Sequence, residues 1–129
     1  MTTVREIVDG QNLAQLTSQS TIREAARYMV DNGVGSVLVM DEGALRGIFT
    51  ERDALTIFVA TRRNPDLTRL SEVMTEAPQT LSPDATPQDA VQRMAAGKFR
   101  HLPVVDGEGR VLGVVSQRDL IAASASPRS

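Results

Sequence analysis

The sequence predicts an α/β (α+β) fold built from two copies of one β-α-β-β-α unit, related by a pseudo-twofold axis. Three observations predict it. The stretch Gly47-Ile48-Phe49-Thr50-Glu51-Arg52-Asp53 returns as Gly113-Val114-Val115-Ser116-Gln117-Arg118-Asp119, sixty-six residues on (113 − 47). The flanking chain repeats at nearly the same offset: Val4-Arg5-Glu6-Ile7-Val8 matches Leu70-Ser71-Glu72-Val73-Met74, and Leu16-Thr17 matches Leu81-Ser82. In each copy an amphipathic helical pattern precedes two short apolar runs and a second helix. The copies are placed at 1–66 and 67–129.

Each copy opens on a short lead-in segment. The first long helix of copy one starts at Thr21, which with Glu24 three residues later reads as a capping box; Ile22, Ala25, Ala26, Met29 and Val30 form the apolar face, and Asn32-Gly33 ends it. In copy two Thr86 is the N-cap and Pro87 the first helical residue, where a missing N–H costs nothing. Ala90, Val91, Met94 and Ala95 carry that face and Gly97 stops it. Val37 to Met40 and Leu102 to Val105 are continuous apolar runs, read as strands buried on both faces. Pro103 cannot donate to a ladder and belongs at a strand end or an unpaired position. Turns at Asp41-Glu42-Gly43 and Asp106-Gly107-Glu108-Gly109 lead into strands Leu45 to Phe49 and Val111 to Val115. Both strands run into helices starting near Thr50 and Ser116. The linker Arg62-Arg63-Asn64-Pro65-Asp66 separates the copies, and Ser124 to Ser129 form a polar tail expected to fray.

Composition narrows the class. With 129 residues, 41 % apolar content and only 3 % aromatics, the chain makes one small domain, or two half-domains, around an aliphatic core. A net charge of −2 leaves no basic footprint for nucleic acid. No apolar run approaches the roughly 18 residues of a membrane span, and no signal core follows Met1. Zero cysteines exclude disulfides and thiolate chemistry and fit a cytoplasmic protein. One histidine cannot build a metal cluster, and no nucleophile–base pair is visible. A unit of about 60 residues is marginal alone, so two copies sharing a core are expected.

The order of helix, hairpin and Gly-apolar-apolar-Thr/Ser-x-Arg-Asp, present twice, resembles a tandem pair of cystathionine-β-synthase (CBS) domains. Arg100-His101-Leu102-Pro103-Val104-Val105-Asp106 is similar to that family's second strand. The likeness covers roughly Val4 to Ala122 and implies a stand-alone regulatory pair without a catalytic partner. It implies an adenosyl ligand in clefts between the repeats: AMP, ADP or ATP, with S-adenosylmethionine or NAD as lesser candidates and no required cofactor. It also implies a homodimer formed through helices, an unidentified protein effector, and no nucleic-acid or membrane partner. By this resemblance Thr50 and Ser116 contact phosphate while Asp53 and Asp119 hold ribose hydroxyls.

The residues point the same way on their own chemistry. A hydroxyl at a helix N-terminus sits where free N–H groups and the positive dipole end favour an anion. A carboxylate one turn in accepts from a cis-diol and repels phosphate, which orients a nucleotide. Arg52, Arg118, Lys98, Arg100 and His101 can supply positive charge. Ile48, Phe49, Val114 and Val115 are candidates for an apolar slot around a purine. The plainer explanation of both hydroxyl–carboxylate pairs is helix capping, which is compatible with binding. A rival function is a dimerising scaffold module with vestigial clefts. Copy one has Gly35-Ser36 where copy two has Arg100-His101, so the two sites are expected to differ in charge.

Overall fold

A computed structural model describes residues 2–125 and resolves them into two compact units. One is 14–78; the other joins 1–13 to 79–129. The spatial units are thus cut after the lead-in segments, whereas the sequence repeats begin with them. Helix α1 (Val4–Val8) packs in the core of the second unit, where Val4 and Val8 lie among Leu81, Ala90, Met94, Leu102, Val104, Val115 and Leu120. The matching helix α4 (Leu70–Val73) belongs to the first unit, with Leu70 among Ile22, Ala25, Met29, Val37, Val39 and Phe49. Helices this short do not hold themselves in water, so burial of one apolar edge keeps them folded.

In the first unit β1 (Gln15–Leu16) runs parallel to β2 (Ser36–Asp41), which pairs antiparallel with β3 (Ala44–Thr50). β4 (Thr75–Glu76), just after α4, adds to the far edge of β3, giving the order β1-β2-β3-β4. The β2–β3 turn places Glu42 and Gly43 at φ 50° and 80°, the left-handed pair that closes a two-residue hairpin. α2 (Ile22–Asn32) starts on the expected capping box, with Thr21 Oγ1 accepting from the Glu24 N–H at 3.2 Å and Glu24 Oε1 from the Thr21 N–H at 2.8 Å. It ends at Gly33 in the left-handed region. Its buried face is Ile22, Ala25 and Met29; Val30, expected there, is 80 % exposed. Eight residues after Ile22, Val30 has drifted about 80° round the helix, off the stripe.

The second unit holds an antiparallel pair, β5 (His101–Val105) and β6 (Val111–Ser116), with Leu81 bridging alongside Val104 in parallel. Pro103 stands third in β5, not at its end. Its carbonyl accepts from the Leu81 N–H at 2.8 Å, so its donor side faces away from β6 and no β5–β6 rung is lost. α5 (Pro87–Gly97) is capped by Thr86 as expected, and Asp89 completes a capping box, but Gly97 is its last residue, and Lys98 takes the left-handed position that Gly33 takes in the first copy. Ala90 and Met94 are buried, whereas Val91 and Ala95, expected on the same face, are exposed. α3 (Glu51–Ala60) and α6 (Gln117–Ala125) follow β3 and β6 directly. Of the polar tail expected from Ser124 on, Ser124 and Ala125 belong to the last turn of α6 instead, and the rest lies outside the described residues. Among the described residues no helix is long and apolar enough to cross a membrane.

Candidate nucleotide half-sites

The two repeated motifs fold into one local structure, each copy within its own unit. Thr50 is the last residue of β3 and the N-cap of α3, with extended backbone (φ −120°, ψ 164°). Its Oγ1 accepts from the Asp53 N–H at 3.1 Å, and Asp53 Oδ2 accepts from the Thr50 N–H at 3.0 Å. At the β6–α6 junction, Ser116 Oγ accepts from the Asp119 N–H at 3.0 Å and Asp119 Oδ2 from the Ser116 N–H at 2.9 Å. The capping explanation is therefore realised in both copies, and its consequence for binding is a question of remaining hydrogen-bond capacity.

A hydroxyl offers one donor and two acceptor positions, and a carboxylate about four acceptor positions. The cap uses acceptor capacity of the hydroxyl oxygen and one carboxylate oxygen. The Thr50 and Ser116 O–H groups stay available to donate to a phosphate oxygen. Asp53 Oδ1 and Asp119 Oδ1 stay available to accept from hydroxyls. All four residues are half-buried, so these groups are within a ligand's reach. The helix N-termini are less open than the sequence suggests. The Glu51 N–H donates to Gly35 O at 3.1 Å and the Gln117 N–H to Arg100 O at 2.8 Å. With the Asp53 and Asp119 N–H groups also engaged, Arg52 and Arg118 carry the first-turn N–H groups left for an anion.

Those backbone bonds place the remaining candidates. Strand register sets His101 opposite Ser116, and Arg100 meets Gln117 through its carbonyl, so Arg100, His101, Ser116, Arg118 and Asp119 gather at one junction. In the first unit, Ser36 lies opposite Thr50 and Gly35 meets Glu51. Arg52 and Arg118 are exposed, as is Arg100. The proposed apolar slot is corrected: Phe49 and Val115 are fully buried in the cores of their units and Ile48 is buried too, leaving only Val114 partly open.

The structure also explains the motif glycines, to which the sequence alone assigns no task. A Cβ on Gly47 would stand 2.7 Å from Met74 Sδ and 2.7 Å from Thr75 O. One on Gly113 would stand 2.6 Å from Val8 Cβ and 2.9 Å from Gln11 Oε1. Met74 and Val8 are equivalent in the repeat, so both glycines exist to let the lead-in segment run against the strand. Gln11 goes further: its side-chain amide donates to Val114 O at 3.1 Å and accepts from the Val114 N–H at 2.7 Å. It thereby satisfies the edge of β6 as β4 satisfies that of β3. Their shared sixty-six-residue spacing was the available signal, since it links each glycine to a lead-in sequence. An open cavity of about 500 Å³ also lies in the second unit, lined by α5 and the segment before it, including Ser82, Asp89 and Arg93; the motif residues do not line it.

Duplicated strand–helix junctions, each carrying a hydroxyl and an aspartate with spare polar capacity, define a tandem-repeat module with two candidate ligand half-sites. The chain belongs to the CBS domain family, whose sequence model matches residues 4–60 and again 70–126. It is 33 % identical over 129 residues to CBS domain-containing protein YhcV of Bacillus subtilis, covering all of this chain and 90 % of that protein. It is 33 % identical over 120 residues to CBS domain-containing protein CBSCBSPB3 of Arabidopsis thaliana, but spans only 22 % of that longer protein. Among solved structures, a protein with CBS domains from Burkholderia ambifaria superposes with a TM-score of 0.92 at 29 % identity, covering 99 % of this chain and 97 % of that one. Two further structures share the fold at 24 % identity. One is CBS domain protein PAE2072 from Pyrobaculum aerophilum, complexed with AMP (TM-score 0.83, covering 97 % of this chain and 100 % of that one). The other is the CBS domain pair of protein MJ0100, in complex with 5′-methylthioadenosine and S-adenosyl-L-methionine (TM-score 0.88, covering 99 % of each).

Proposed function

We propose that this chain is a regulatory module that binds an adenine nucleotide of the AMP, ADP or ATP class at its motif half-sites, signals that ligand's level to a protein partner, and catalyses no reaction. One observation carries the reading: both copies keep a capped hydroxyl–aspartate pair whose unused donor and acceptor match a phosphate and a ribose diol. The same fold in proteins crystallised with AMP or with S-adenosylmethionine supports the adenosyl class. A ligand regulates only through its differential affinity for two states of the protein. The test is a thermal-shift series with AMP, ADP, ATP, NAD and S-adenosylmethionine. A ligand at 100 times its Kd stabilises the native state by about 2.7 kcal/mol. Asp53→Ala and Asp119→Ala should each weaken the response, and the double variant should abolish it. An undiminished shift in the double variant would overturn the site, and no shift with any adenosyl compound at millimolar concentration would overturn the function.

A second reading, a dimerising module, is favoured by the outer face of α3. Leu55, Phe58 and Val59 are 65–68 % exposed there, and Ile121, the repeat equivalent of Leu55 on α6, is 64 % exposed. Such a row of large apolar side chains marks an interaction surface. We propose a homodimer through these helices, compatible with nucleotide binding. Phe58→Glu should convert the dimer to monomer in sedimentation velocity, and a wild-type monomer at 100 times the working concentration would dismiss it.

A further inference from the structure

The two half-sites share a backbone plan but not a charge. Around Thr50 the equivalent positions hold Gly35, Ser36, Glu51, Arg52 and Asp53, which is one cation and two carboxylates. Around Ser116 they hold Arg100, His101, Gln117, Arg118 and Asp119, which is two cations and one carboxylate before His101 is considered. Register makes the comparison like for like. His101 and Ser36 occupy one position opposite the motif hydroxyl, and Arg100 and Gly35 give their carbonyls to the same helix N–H. Glu51 and Gln117 are the residues directly after the hydroxyl, and both are exposed. A carboxylate at that position repels a phosphate next to the hydroxyl, whereas an amide can donate to it.

Resting on the adenine-nucleotide reading above, we propose that the half-sites divide the ligands by phosphate. The Ser116 half-site takes an adenine nucleotide with a chain of phosphates, ADP or ATP, and the Thr50 half-site takes an adenosyl ligand with at most the single phosphate of AMP. The aspartate common to both holds ribose in either case. Arg100, His101 and Arg118 meet the phosphates in the second copy. The first copy offers Arg52 alone, offset by Glu51. One chain then reads the balance of adenosyl compounds with and without a phosphate chain, because each class has its own half-site.

Isothermal titration of the full chain with ATP and with adenosine tests this, each half-site being isolated by removing the other's aspartate. With Asp53→Ala, ATP should bind at least tenfold tighter than adenosine, and its affinity should fall as salt rises. With Asp119→Ala the order should reverse. Replacing Arg100-His101 by the first copy's residues (R100G with H101S) in the Asp53→Ala background should lower the ATP-to-adenosine affinity ratio at least tenfold. Arg100→Gln, which keeps the carbonyl bond to Gln117, should move it in the same direction. Glu51→Gln in the Asp119→Ala background should raise the ratio. Equal ratios in the two backgrounds, or a ratio unmoved by R100G with H101S, overturns the division while leaving nucleotide binding intact. Failure of the unsubstituted chain to bind either compound overturns the parent reading as well.

Discussion

At the residue scale, the motif glycines show how one hydrogen atom decides whether two segments can meet. Thr75 O is backbone and Met74 is held by the α4 turn, so a Cβ on Gly47 has nowhere to displace its neighbours cheaply. Overpacking of this kind costs about 1–3 kcal/mol. Gly47→Ala and Gly113→Ala should each lower stability by that amount in urea titration. Gly107→Ala, where nothing lies within 4 Å, serves as the control with little effect. A neutral result at Gly47 would mean that the lead-in segment does not approach β3 as closely as described.

At the element scale, the loops and helix starts are tied down by carboxylates held below their ordinary values. The Arg110 backbone N–H, followed by other donors in the same turn, lowers Asp106; the Thr86 N–H lowers Asp89; and the Arg69 N–H lowers Glu72. A carboxylate depressed in the folded state stabilises it fully above the unfolded value and loses that contribution as pH falls through the folded one. The ordinary values are 3.8 for Asp and 4.5 for Glu, so stability should hold from neutrality to about pH 5 and then decline below pH 4.5. Melting temperatures across this range check the sign. Asp106→Asn should lower stability at pH 7 and flatten the acid limb, because the missing carboxylate has nothing further to lose. A rise in stability on acidification would contradict the assigned partners.

At the scale of the whole molecule, the exchange of lead-in segments sets which residues support which unit. Leu70 belongs to the second repeat in sequence and to the core of unit 14–78 in space. Truncation of a buried leucine costs about 2–5 kcal/mol. Leu70→Ala should therefore speed hydrogen exchange in β2 and β3, whereas Val4→Ala should speed it in β5 and β6. The opposite pattern would mean that each repeat packs its own lead-in.

Much of this was legible from sequence because it depends on local signals. The capping box at Thr21, the N-cap at Thr86, the turn at Glu42-Gly43, and the doubled hydroxyl–aspartate junction are all set within a few residues, where spacing alone brings the atoms into reach. The repeat then made the two candidate half-sites visible and implied the family. Helix faces were legible only in part, since Val30 and Val91 differ from their buried neighbours by position round the helix and not by chemistry. What the tertiary structure alone decided is long-range. It assigned α1 and α4 to the other repeat's unit, gave the motif glycines their reason, and brought Gln11 to the edge of β6. It buried Phe49 and Val115, and it set Arg100 and His101 beside Ser116. Those outcomes turn on which segment packs against which strand edge, and a sequence records the partners of such a contact without recording that they meet.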